Sequence, residues 1–241
     1  MLHIMMLLPK NVKHSLKNRF PDIEIIGLLI RELRDPNALY LVENDDLKAL
    51  FVHIPKTAGI SISTAIFNRE VNHKKAKYFM AVDRARFDRY FKFTFVRNPW
   101  DRMLSTYMFL KAGGKWGNCP HAKWLNRKFL HQHNNFRDFI KSLENPKIAK
   151  SLTADFMFMP QYKYLCDNDL NIIVNYIGYF ENLAEDFSTV CQQIGIKNRQ
   201  LNHLNKTSQG KLEYRQHYDH ETADIVANLY SKDIEILGYS F

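Results

Sequence analysis

Only three cysteines, Cys119, Cys166 and Cys191, occur in 241 residues, an odd number with no paired spacing. That excludes a disulfide scaffold and fits a reducing compartment, with the three thiols acting as small hydrophobes. Glycine and proline are sparse, at 9 and 8 residues, and no Pro/Gly/Ser-rich linker, low-complexity tract or internal repeat divides the chain. Long apolar runs are missing too. Met5-Met6-Leu7-Leu8 meets Pro9 and Lys10, far too short for a signal h-region or a membrane span. These absences point to a single domain over 1–241 in a cytoplasmic setting.

Acidic residues are the other shortage. There are 25 Asp and Glu against 34 Lys and Arg, a net charge of +9. Such a surface attracts nucleic acid, an anionic membrane, an acidic glycan or a polyanionic nucleotide. The basic residues are dispersed and carry no zinc-finger or RNA-binding signature, which argues against nucleic acid. At 46% hydrophobic and 13% aromatic, the chain has enough apolar side chains for a packed core.

Two stretches carry the chemistry. In the first, Phe51-Val52-His53-Ile54 breaks into Pro55-Lys56-Thr57-Ala58-Gly59-Ile60-Ser61. In the second, Phe93-Thr94-Phe95-Val96 ends at Arg97 and opens Asn98-Pro99-Trp100-Asp101-Arg102-Met103-Leu104-Ser105. Each predicts a buried strand, a tight loop and a helix N-terminus, where free N–H groups and the positive helix end suit an anion. Two such elements imply a ligand with two separated anionic groups.

The remaining pattern predicts a helix from Ile60 to Arg69, a short one around Ala81 to Tyr90, and one from Asn98 (cap) and Pro99 to about Lys111. Residues 1–45 read as an N-terminal extension broken at Pro9, Pro21 and Pro36, and 115–150 as an insertion beside the site. Tyr162–Leu165 and Ile172–Tyr179 read as a hairpin or strand pair around Asp167-Asn168-Asp169. Glu181 to Ile194 reads as a helix closed by Gly195, 201–212 as a polar loop, and Glu221 to Leu237 as a C-terminal helix.

Together the two stretches resemble the phosphosulfate-binding signatures of sulfotransferases that use 3′-phosphoadenosine 5′-phosphosulfate, in the carbohydrate (family 2) branch. The resemblance implies an α/β fold, a central parallel β-sheet flanked by helices, with a P-loop-like phosphosulfate-binding loop. It implies sulfuryl transfer to a hydroxyl acceptor, most readily a carbohydrate, without a metal, leaving adenosine 3′,5′-bisphosphate. Lys56 would neutralise charge on the leaving group. Backbone amides of Thr57, Ala58, Gly59, Ile60 and Ser61 would cradle the 5′-phosphate, with Gly59 allowing close approach. Arg97 would fork onto the 3′-phosphate beside Ser105. Lys206, Thr207, Ser208, Tyr214 and Arg215 fall where related enzymes place further nucleotide contacts, and Gln161 and Glu181 resemble later family positions. Relatives in the Golgi usually carry an anchor, so its absence implies a bacterial or phage-like enzyme.

A P-loop kinase is the rival reading. It requires GxxxxGK[ST] and a metal-binding acid, whereas Lys56 precedes Gly59 and the second strand ends in Arg97. The resemblance to glycan sulfotransferases implies a general base between the two stretches, where His73 is the sole histidine, its pKa depressed by Lys74, Lys75 and Lys77. His53 reads as a strand-end histidine. His121, His131 and His133 are alternatives on the insertion, and the His131/His133 spacing lacks the acid or thiol partner a metal would require.

Overall fold

A computed structural model describes residues 39–197 and 213–241, together with Gly27, Arg199 and Leu201. Three parallel strands form its sheet in the order β1 (Ala49–Val52), β2 (Phe91–Val96) and β3 (Tyr176–Tyr179). Ala49 pairs with Phe91 and Val52 with Thr94; Phe93 pairs with Tyr176 and Val96 with Tyr179. Because side chains alternate along a strand, the apolar runs supply two separate cores. Ala49, Phe51, Phe93 and Phe95 pack with α2 (Gly59–Phe67) and α10 (Leu183–Gln193) on one face. Leu50, Val52 and Val96 face Tyr40, Tyr78 and Phe79 on the other, where α3 (Ala76–Val82) and α4 (Arg84–Arg89) lie.

After β2 the chain enters α5 (Pro99–Lys111). Asn98 caps it by accepting from Trp100 N at 3.1 Å, and Pro99 occupies the first turn. Met103, Leu104, Tyr107 and Leu110 of α5 are buried in a third, helical core. The segment read as an insertion supplies much of that core. It forms α6 (Pro120–Leu125), a π-helical turn (Asn126–Leu130), α7 (Phe136–Ser142) and α8 (Pro146–Thr153), and buries Leu125, Phe129, Phe139, Ile140 and Leu152.

Three expected elements differ from the structure. Tyr162–Leu165 is a helical turn, α9, and strand β3 is only Tyr176–Tyr179, paired with β2. The expected hairpin is reduced to one antiparallel bridge, Cys166 to Ile172. Burial of Tyr164 and Leu165 beneath the sheet outweighs their strand preference. The single helix around Ala81 to Tyr90 is two, because the Asp83 carboxylate caps a new start by accepting from Arg86 N at 2.9 Å. The C-terminal helix is likewise α11 (His220–Leu229) and α12 (Ser231–Leu237), capped by Asp219 and closed by Gly238 at φ +70°.

All three strands point their C-terminal ends the same way, so the loops after Val52, Val96 and Tyr179 meet at one edge. That edge is where parallel α/β sheets bind ligands.

Gly178 shows how tightly the sheet packs. A Cβ there would lie 2.6 Å from Cε1 of Phe95, a fully buried ring. Gly178→Ala is expected to destabilise the protein by about 1–3 kcal/mol through overpacking. A urea unfolding midpoint unchanged by the substitution would show that the Phe95 ring yields freely.

Candidate active site

The loop after β1 is built inside out. Ile54 O accepts from Thr57 Oγ1 at 2.9 Å, Pro55 O from Arg102 Nε at 3.1 Å, and Lys56 O from Arg97 Nη1 at 3.1 Å. Three successive carbonyls are thereby held on the protein side. Lys56 and Ala58 take left-handed conformations, at φ 70° and 64°, to allow it. Among the described residues, no acceptor meets the backbone N–H groups of Lys56 through Ser61; the first helical bond of α2 is Ile62 N to Ala58 O. The free N–H groups at the start of this nine-residue helix are the kind of donor set that suits an anion.

Gly59 has a second reason to be glycine. A Cβ would fall 1.9 Å from Cδ2 of the His53 imidazole, so close packing on His53 forbids any side chain. Thr57 is fully buried with its hydroxyl turned inward, so its contribution to that donor set is its N–H.

Lys56 lies over the Phe109 ring, with Nζ 4.2 Å from the centroid. Burial, and secondarily the Arg97 charge, push its ammonium down to about 8. Among the described residues this cation has no carboxylate partner, and its desolvated place favours an incoming negative charge.

In the second stretch Arg97 is paired with Asp101. Arg97 Nε donates to Asp101 Oδ2 at 2.7 Å and Nη2 to Asp101 Oδ1 at 2.8 Å. Nη1 reaches Lys56 O and Ser105 Oγ, each at 3.1 Å, and the Phe180 ring lies 4.0 Å from the guanidinium carbon. Positions 97, 101 and 105 are spaced one turn apart, so the geometry follows from the α5 start. Ser105 accepts from Arg97, which leaves its own proton to donate outward.

Behind Arg97 stand residues whose roles no local pattern disclosed. The buried Gln161 amide brackets the Arg97 peptide, accepting from its N at 3.0 Å and donating to its O at 2.8 Å. Gln161 N and Tyr162 N in turn donate to the fully buried Asp233, at 2.8 Å each. Burial pushes the Asp233 carboxyl up to about 6, against those N–H donors and the nearby Arg102 charge. Glu181 accepts from Asn98 N at 2.7 Å and from Tyr239 OH at 3.2 Å.

His73 Nδ1 lies 3.2 Å from His53 O. A carbonyl only accepts, so Nδ1 carries the proton and Nε2 keeps its lone pair in the neutral ring. Its pKa is lowered chiefly by burial, with Arg102 and then Lys74 contributing, whereas the sequence had pointed to the neighbouring lysines. The ring packs between His53 and Phe156, at centroid distances of 4.0 and 5.3 Å. His53 is a buried strand-end residue donating to Val71 O, its pKa pushed to about 3 mainly by burial.

The alternatives diverge. His121 stacks on Phe156 at 5.0 Å and lies 3.0 Å from Asp155, while His133 packs 6.1 Å from Phe139. Lys206, Thr207 and Ser208 lie outside the described residues. Tyr214 is buried in the helical core, and Arg215 is exposed with its guanidinium 5.6 Å from the Phe241 ring.

Fold and site together define an α/β protein whose parallel strands run through tight loops into helix N-termini. The chain belongs to the sulfotransferase family, whose model matches residues 40–240. An uncharacterized protein of Archaeoglobus fulgidus is 33% identical over 110 residues, 46% of this chain and 72% of that protein. No solved structure matches it. Among the described residues, no helix is long and apolar enough to cross a membrane, and no three His, Cys, Asp or Glu side chains converge as metal ligands would.

The Lys56 environment predicts a pH dependence. Its amine is protonated below about pH 8 and neutral above it. Affinity for pyrophosphate, measured by calorimetry from pH 7 to 9.5, is expected to fall as the pH rises through that value. Lys56→Arg, which stays charged, should abolish the decline.

Proposed function

We propose that this sulfotransferase takes its sulfuryl group from 3′-phosphoadenosine 5′-phosphosulfate and passes it to a hydroxyl, with a carbohydrate as the preferred acceptor. The loop over Lys56 to Ser61, with its carbonyls held inside and its chain entering α2, carries this reading. The residues present fit the donor: one run of loop amides for a 5′-phosphate, and a second anion position at Ser105 and Arg97, at the start of α5. The carbohydrate preference rests on the resemblance of Pro55-Lys56-Thr57-Ala58-Gly59 and Arg97-Asn98-Pro99-Trp100 to the family 2 signatures.

When bound, the donor supplies an activated sulfuryl group whose bond to phosphate oxygen is broken as the acceptor oxygen bonds to sulfur. Lys56 neutralises the charge left on that phosphate, and its desolvation strengthens the interaction as charge develops. His73 accepts the acceptor hydroxyl's proton at Nε2, the nitrogen that its Nδ1–H···O=C bond leaves free. It packs against His53, the residue three positions before Lys56 in the first stretch.

Calorimetric titration tests the donor. Adenosine 3′,5′-bisphosphate is expected to bind without added metal and more tightly than ATP; tighter ATP binding, or a strict magnesium requirement, would return the P-loop kinase reading. Turnover with labelled donor and a panel of glycans, lipid-linked sugars and phenols tests the acceptor. His73→Ala is expected to cut turnover by roughly a hundredfold or more with bisphosphate affinity unchanged. Lys56→Ala should lower kcat more than donor affinity. Near-normal turnover of the His73 variant would move the base to another group.

A further inference from the structure

Arg97 sits where the family reading requires a phosphate contact, yet four of its five N–H groups are already engaged within the protein. Both Asp101 oxygens are taken up in a two-bond clamp, and the Arg97 side chain is only 10% exposed. A guanidinium held this way presents at most one N–H to an anion. It does, however, touch both halves of the site: the carbonyl of Lys56 in the first loop and the hydroxyl of Ser105 in the second.

We propose that Asp101 is a positioning residue that holds Arg97 as a strut between the two anion-binding elements rather than as a fork on phosphate. The strut draws the Lys56 carbonyl inward, which keeps Lys56 left-handed and turns the amides of 56–61 outward. It also fixes the Ser105 hydroxyl as an acceptor from Arg97, so that its O–H points its proton at the second anion. In this arrangement Ser105 and one Arg97 N–H read the second phosphate, and Asp101 restrains the arginine from closing on it. The proposal rests on the donor reading for the identity of the anion, but the strut itself is a statement about the free protein.

Two measurements on the full chain separate these. In the first, backbone amide chemical shifts are compared between wild type and Asp101→Asn, with no ligand. An amide side chain keeps the size but lacks one acceptor oxygen, so the strut loosens; shifts over 56–61 are expected to move. The same substitution on an Arg97→Lys background is expected to move them little, since lysine cannot span the two contacts. Unmoved 56–61 amides, or equal movement with Arg97 already replaced, would overturn the proposal.

In the second, adenosine 3′,5′-bisphosphate is titrated into the same variants. Asp101→Asn is expected to bind it up to about tenfold more weakly, because loosened 56–61 amides no longer converge on the 5′-phosphate. Equal weakening on the Arg97→Lys background would reduce Asp101 to general support of the fold and counts against the strut. So does tighter binding by Asp101→Asn, which would reduce Asp101 to a repulsive charge. Wild type failing to bind the bisphosphate would sink the donor reading while the amide shifts still decide the strut. Should Asp101→Asn not fold, Asp101→Glu displaces the clamp while keeping the charge, and is expected to move the same amides.

Discussion

Everything at this site depends on three backbone carbonyls being kept away from the ligand. An anion can lie against main chain only where N–H groups outnumber carbonyls, and a regular strand or turn presents both. Here Thr57, Arg102 and Arg97 each hold one carbonyl of the run Ile54-Pro55-Lys56 on the inner side. Two residues without the freedom of glycine, Lys56 and Ala58, accept left-handed backbone as a result. Each such residue costs of order 1–3 kcal/mol. Two charge-assisted bonds from buried arginines, at about 1.5–3 kcal/mol each, are of the size required to offset that strain.

The two arginines have different supports. Arg102 is buried and bonded entirely to carbonyls, those of Pro55, Met157 and Met159, so it works as a fixed post. Arg97 is held through Asp101 on its side chain and through Gln161 on its peptide. Gln161 and Tyr162 are anchored in turn by Asp233 on α12, while Asn98 donates to Ser240 O at 2.9 Å. The last helix and the C-terminal residues are thus wired into the peptide that carries the second motif. A carboxylate buried as completely as Asp233 is costly unless every oxygen is bonded, and two backbone N–H groups meet that condition.

The electrostatics follow one pattern: cations and imidazoles near the first loop are buried enough to give up protons easily. Lys56 is pushed to about 8, His73 is lowered, and His53 is driven to about 3, each with burial as the largest cause. Low local dielectric penalises their charged forms in the free protein and strengthens their pull on an anion once one arrives. The general excess of basic residues draws anions toward the surface, but these few desolvated groups decide where one comes to rest.

The strand-loop-helix units were legible because their signals are local: an apolar run, then Pro55-Lys56-Thr57 or Asn98-Pro99, each setting dihedrals within a few residues of itself. Asn98 as a cap, Ser105 eight residues after Arg97, and the glycine at 59 all follow from spacing. The Tyr162–Leu165 helix was not legible, because burial under the sheet decides it. For Arg97 the spacing left two partners open, Asp101 and a ligand anion. A sequence shows that Asp101 is one helical turn away from Arg97, but whether the guanidinium turns to that carboxylate or to a ligand depends on where Lys56 O, Ser105 and Phe180 lie around it. The local sequence determined that two strand-loop-helix units exist and which residues they carry. Tertiary structure alone decided how they are joined, since Gln161 reaches Arg97 from 64 positions away and is itself held by Asp233 from 72 further on, and packing, not spacing, brings such residues together.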